Sequence, residues 1–182
     1  MDDDLADFLA PLTAFAEGTR IWPPLGTMRI TCYLTNSTPP ARHVTSARAV
    51  VIDGDRVLLV QDPDEVHIIP GGRLEPDETP EDALRREVIE ETGWSLAFCK
   101  PIGILHFAHI YPMSEGGKIQ PDFLQVVYAG IPGKYYPELK EADGYELGAE
   151  FVSIDQVRQM PLGTGQQTFL ETAVRATLRN AE

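Results

Sequence analysis

Cysteine and positive charge are both scarce in this chain, and long apolar runs are missing. Its 182 residues include only Cys32 and Cys99, so neither a disulfide framework nor a Cys-x-x-Cys redox motif is available. The expected state of both is a reduced, packed thiol. Lys and Arg number 15 against 28 Asp and Glu, a formal charge of −13; a groove that tracks duplex nucleic acid through many phosphates needs the opposite balance. No apolar run reaches the roughly 18 residues needed to span a bilayer, and the opening Met1-Asp2-Asp3-Asp4 lacks the basic start of a secretory signal. These absences predict a soluble, cytoplasmic protein that does not engage a membrane. No repeat and no sustained heptad points to a solenoid or coiled coil.

The acidic excess is concentrated. Residues 62–91 hold eleven Asp or Glu against three Arg, a local charge of −8. Within them, Glu87, Glu90 and Glu91 are spaced three and four residues apart, which on an α-helix puts all three on one face. Like charges so arranged repel unless a cation intervenes, so the spacing reads as a metal site.

The helix that carries them is well signalled. Thr79 suits the cap, Pro80 the first helical position, Glu81 and Asp82 the positive first turn, and Gly93 the stop. Leu84 and Val88 give it an apolar stripe. Just upstream, residues 67–72 form a short apolar segment ending in Pro70-Gly71-Gly72, where glycine lets the backbone approach a ligand and exposes carbonyl oxygens suited to hard cations. No thiol or imidazole set at zinc spacing is evident.

Gly72-x5-Glu78-x7-Arg86-Glu87-Val88-x-Glu90-Glu91-x-Gly93 resembles the signature of the Nudix hydrolases, with every fixed position present. Only the last aliphatic position departs, being Trp94. The resemblance implies an α/β fold, a Nudix-like α/β/α sandwich around a mixed β-sheet, and hydrolysis of a nucleoside diphosphate linked to another moiety with Mg2+ or Mn2+. It implies Glu87, Glu90 and Glu91 as metal ligands, helped by the carbonyl of Gly71. Arg86 would orient the carboxylates, and Gly72 and Glu78 would support the site, Glu78 by bracing the loop against the helix. An acidic face binds an anionic diphosphate only through bridging cations, in agreement with that assignment.

Elsewhere, Leu5, Phe8, Leu9, Leu12 and Phe15 at helical spacing predict a short helix over residues 4–17, stopped at Gly18. Residues 28–34 read as a strand and 36–41 as a linker, so the expected organisation is an extension over 1–42 and a catalytic domain over 43–182. The extension packs on the core or across a homodimer. Asp53-Gly54-Asp55 predicts a hairpin between 47–52 and 56–60. Strands are expected over 103–111, 123–131 and 151–154, with a turn around Gly116-Gly117, and helices over 155–160 and 165–180.

Metal ligation alone supplies no base for the attacking water. In the family that role shifts to a later loop in some members, and Glu146, in the polar segment 133–148, is the candidate here. Tyr111 stands near the spacing at which dinucleoside polyphosphate hydrolases of the family carry a tyrosine, and Pro112 near that of a proline in ADP-sugar hydrolases, so the two hints compete. Tyr111 and Tyr135 are candidate substrate contacts through stacking. The expected activity is a pyrophosphohydrolase acting on a small nucleotide: a nucleotide sugar, a dinucleoside polyphosphate or a nucleoside triphosphate. A non-catalytic nucleotide sensor is the alternative, and RNA 5′-end processing would need a basic path that the scattered arginines do not display.

Overall fold

The computed structural model describes residues 2–22, 26–111, 121–141 and 147–178. Strands β1 (Ala14–Trp22), β2 (Gly26–Leu34), β3 (Val44–Asp53), β4 (Arg56–Gln61), β5 (Val66–His67), β6 (Trp94–Tyr111), β7 (Phe123–Tyr135) and β8 (Gly148–Ser153) form one mixed sheet. Its order is β1-β2-β6-β7-β3-β4-β5, with β8 on the other side of β4. Only β3 and β7 pair in parallel, and β3 is almost continuously buried, as expected of a strand covered on both faces.

Alternation along the central strands feeds two apolar layers. On one face Ala47, Ala49, Val51, Leu124 and Val126 meet Leu84 and Val88 of α2 (Pro80–Thr92). On the other, Val50, Ile52, Val127 and Ala129 meet Phe169, Leu170 and Ala173 of α4 (Gln166–Leu178). The result is the expected α/β/α sandwich. The Asp-Gly hairpin is present, with Gly54 at φ 62° and Ile52 opposite Val57. Between β8 and α4 lies a single helical turn, α3 (Ile154–Val157). No helix among the described residues is long and apolar enough to cross a membrane.

The N-terminal segment departs from the single helix expected over residues 4–17. The first helix, α1 (Asp3–Leu9), has seven residues, and the expected continuation to residue 17 is strand β1 instead. Pro11 cannot donate the next helical hydrogen bond, and Gly18, expected as a helix stop, sits mid-strand opposite Ile30. Leu5 and Leu9 still share a buried face, but Phe15 packs edge-on against Phe169 with centroids 5.2 Å apart, so the spacing of five apolar residues served two different elements. Strand β2 then hydrogen-bonds β6 from Thr27–Tyr111 to Leu34–Gly103, joining residues 14–34 to the central sheet. Strand β6 starts at Trp94, nine residues before the strand predicted at 103. The predicted turn at Gly116-Gly117 lies outside the described residues.

Phe169 has no exposed surface, and its truncation leaves a cavity beneath α4. Phe169→Ala is expected to cost about 3–5 kcal/mol, read as a lowered urea midpoint with an unchanged denaturant slope.

Candidate functional site

Helix α2 is built to hold its charged face in one place. Thr79 accepts from the Asp82 amide at 3.2 Å, and the Asp82 carboxylate accepts in return from the Thr79 amide, a reciprocal capping box. Pro80 follows the cap, and Gly93 ends the helix at φ 79° while donating to the Ile89 carbonyl. In between, Arg86, Glu87, Glu90 and Glu91 fall within little more than one turn.

Arg86 is the hub. Its Nε and Nη2 fork onto the two oxygens of Glu78 at 2.8 and 2.9 Å. Nη1 donates to Glu87 at 2.9 Å and Glu90 at 3.1 Å, and Nη2 also reaches the Arg73 carbonyl at 2.9 Å. The paired carboxylates, Glu78 first, raise the guanidinium pKa above its ordinary value. The same bidentate contact, joined by the Glu75 amide, pulls Glu78 down from 4.5 to about 2. Glu78 therefore ties the 75–78 turn to the helix.

The glycine loop meets this face from below. Pro70 and Gly72 carbonyls accept from the Ala49 and Ala47 amides of β3, so the intervening Gly71 carbonyl takes no part in that ladder. The Gly71 amide donates to Glu91 Oε2 at 2.7 Å. Gly71 has φ 127°, and any Cβ on it would strike the Ala47 carbonyl. A Cβ on Gly72 would fall inside the Glu87 carboxylate. Both glycines are required by close approach, and a carboxylate lies directly over the loop backbone.

Three carboxylates thus surround one guanidinium and Glu91 lies on the adjoining loop, so the four acids and Arg86 carry a net charge of −3 if all are ionised, with oxygen donors only. Such a donor set, compressed against a glycine backbone, suits a hard divalent cation, and the residues fit the ion that the sequence implies. Among the described residues, Glu87, Glu90 and Glu91 do not bring their donor atoms within 4.8 Å of one another; the acidic and imidazole side chains that converge that closely are Asp2, Asp4 and His43. There Arg42 already pairs with both aspartates.

The remaining candidates are distributed unevenly. Tyr135 stacks obliquely on Trp94, centroids 4.9 Å apart, at the C-terminal end of α2, where the Tyr136 amide donates to Gly93 and the Glu141 amide to the Glu90 carbonyl. Trp94, the departure from the family pattern, also packs edge-on against Phe151. Tyr111 is two-thirds exposed at the far end of β6, a strand whose 18 residues at about 3.3 Å each would span roughly 60 Å when extended. The two tyrosines do not converge on one small ligand. Glu146 and Pro112 lie outside the described residues. His106 bonds Asp122 at 3.0 Å and His109 the Tyr111 carbonyl at 3.1 Å, both as buried strand residues.

Two adjoining cavities of about 480 and 460 Å³ run along the sheet and share Trp22, Arg48 and Gln125. Arg73, whose carbonyl accepts from Arg86, lines the second. The available signal was the interruption of apolar strands by Ser46, Arg48 and Gln125. The register Ser46–Gln125 brings them side by side.

A family model described as NUDIX domain matches residues 42–173. Over 58 residues, 31% of this chain, the sequence is 45% identical to a MutT-like protein of Streptomyces ambofaciens, and the match spans 38% of that relative. A pyrophosphohydrolase from Bacillus subtilis shares the fold at TM-score 0.60 and 21% identity, over 83% of this chain and 92% of that one. A NUDIX hydrolase from Nitrosomonas europaea does so at TM-score 0.54 and 26% identity, over 74% and 90%.

The Glu78–Arg86 contact has a pH signature. Because the folded state holds Glu78 at about 2, below its ordinary 4.5, its stabilisation is complete above that ordinary value and disappears as pH falls toward 2. The difference in unfolding midpoint between the wild type and Glu78→Gln is expected to be largest at neutral pH and to close steadily across that acid window.

Proposed function

The chain belongs to the NUDIX family, and from that premise we propose that it is a divalent-metal-dependent pyrophosphohydrolase acting on a nucleoside diphosphate linked to another moiety. The observation that carries the reading is the Arg86-centred array of Glu78, Glu87 and Glu90, set beside Glu91 on the Gly71 amide. A chain that only bound nucleotides has no need of crowded carboxylates that repel its ligand, which disfavours the sensor alternative.

Glu87, Glu90, Glu91 and the Gly71 carbonyl would hold Mg2+, or Mn2+ in its place. A bound divalent ion supplies Lewis-acid stabilisation of charge on the phosphoryl oxygens and eases deprotonation of water. The chain's own residues do the rest. Arg86 fixes the spacing of Glu87 and Glu90, while Gly72 admits Glu87 to the loop backbone and Glu78 anchors Arg86. Glu146 would take the proton from the attacking water. The water oxygen bonds to one phosphorus as the bridging P–O bond breaks. Its electron pair leaves with the second phosphate, giving two phosphate-containing products. Residues 43–182 would form the catalytic domain, with 1–42 as an extension whose strands β1 and β2 continue its sheet. Tyr135, at the end of α2, is the better placed of the two tyrosines to contact substrate.

A panel of nucleoside triphosphates, dinucleoside polyphosphates and nucleotide sugars, run in isotopically labelled water with and without Mg2+, tests the proposal. Metal-dependent release of products, one of them labelled, is the expected outcome; absence of turnover across the panel despite retained nucleotide binding would establish the sensor reading instead. Glu90→Gln is expected to lower kcat about a thousand-fold, since several kcal/mol of charge stabilisation depend on the ion. Glu146→Gln is expected to lower kcat by roughly 10²–10⁴-fold and to remove one limb of the pH–rate profile. An unchanged profile would move the base elsewhere.

A further inference from the structure

The paired cavities beside the glycine loop have a wall that the family match does not include. Trp22 ends β1, twenty residues before the matched segment begins at 42, yet it borders both cavities. Its ring is half-buried and sits 5.8 Å from Phe107 and 6.3 Å from Phe123, which are themselves stacked at 4.7 Å with planes 4° apart. This cluster supplies a rigid aromatic surface of the kind on which a planar base stacks.

The floor beneath it is polar, in a position where a sheet is ordinarily apolar. Ser46 is only 2% exposed, and its hydroxyl finds no hydrogen-bond partner although it borders the second cavity. Asp62 bonds His67 through Oδ2 at 3.2 Å, but its Oδ1 is buried without a partner at the first cavity. Arg48 borders both cavities and has no carboxylate within ion-pair distance among the described residues. Buried polar side-chain atoms without partners are uncommon in a folded chain, and these two, Ser46 Oγ and Asp62 Oδ1, belong to residues that border the paired cavities. The clasp from Arg20 to Glu65, at 2.9 Å, ties β1 to the turn that carries Asp62 across the rim of the first cavity.

We propose that Trp22 is a specificity-determining residue: the base of the nucleotide lies against its indole while Ser46, Arg48 and Gln125 read the base edge, so that strand β1 is part of the substrate site. A ribose phosphate also offers acceptors to Arg48 and hydroxyl donors to an oxygen; what a nucleobase adds is a planar face that lies against the indole. Arg73 provides continuity with the hydrolytic centre, its carbonyl on Arg86 and its side chain in the cleft. The assignment of a base subsite rests on the pyrophosphohydrolase reading, but its test does not depend on turnover.

Trp22 and Trp94 are the only two tryptophans, so Trp94→Phe leaves Trp22 as the sole indole reporter. In that background, without divalent metal, adenosine and guanosine monophosphates are expected to quench the fluorescence saturably, and ribose 5-phosphate is not. Trp22→Ala, in the otherwise natural chain, should weaken calorimetric binding of the better monophosphate at least tenfold. Trp22→Phe, which keeps a ring, should weaken it less and stands in if the alanine variant does not fold. Arg48→Met should flatten the preference between the two bases. Equal affinity for ribose 5-phosphate and the nucleotides, or unchanged binding in both Trp22 variants, overturns the subsite even where nucleotides are hydrolysed. Base-dependent quenching in a protein that hydrolyses nothing upholds the subsite and removes the hydrolase reading.

Discussion

One guanidinium holds this site together. Glu78, Glu87 and Glu90 all bond Arg86, and each of those carboxylates would otherwise face another of the same sign across a few ångströms. That proximity brings electrostatic repulsion. Arg86 offsets it inside the fold and leaves a net negative charge on the cluster.

Backbone geometry supplies the second constraint. Glu87 and Glu91 are not merely near the glycine loop; one occupies the space a Cβ of residue 72 would fill, and the other accepts the amide of residue 71. The loop in turn hangs on β3 through the Pro70 and Gly72 carbonyls, and β3 is locked in the sheet centre by parallel pairing with β7. The carboxylates are thereby referenced to the most buried strand of the molecule. Side chains on α2 stay in register with the loop because Leu84 and Val88 pack onto the same strand's Ala47, Ala49 and Val51.

What could be read from the chain in advance was whatever is encoded within about twenty residues. Thr79, Pro80 and Gly93 delimit α2 through local hydrogen bonding and dihedral preference, and all three do as their chemistry dictates. The Asp-Gly hairpin is local in the same sense. The segment 4–17 defeated that approach because apolar spacing alone does not distinguish one helix from a helix followed by a strand. Pro11 was the decisive residue, and the partner that captured residues 14–22 is β2. The cleft was illegible for a different reason. Trp22, Ser46, Arg48, Phe107 and Gln125 come from four strands, and their meeting is fixed by pairing register: Ser46 beside Gln125, Gln125 opposite Leu105, and Phe107 opposite Ile30.

That register joins the two halves of the chain's chemistry. A one-residue slip in β3 would turn Ser46 and Arg48 to the α2 side and Ala47 and Ala49 to the cleft, spoiling both the packing under the carboxylate helix and the polar floor. The alternation that buries alanines beneath α2 is the same alternation that lines the cleft with polar groups. Selection on either surface of β3 therefore constrains the other. The glycine loop extends this logic past the sheet edge, since Arg73 faces Ser46 in an isolated bridge while Leu74 turns into the apolar layer beneath α2. A single strand and the loop laid against it thus serve as the common wall between the carboxylate face and the cleft.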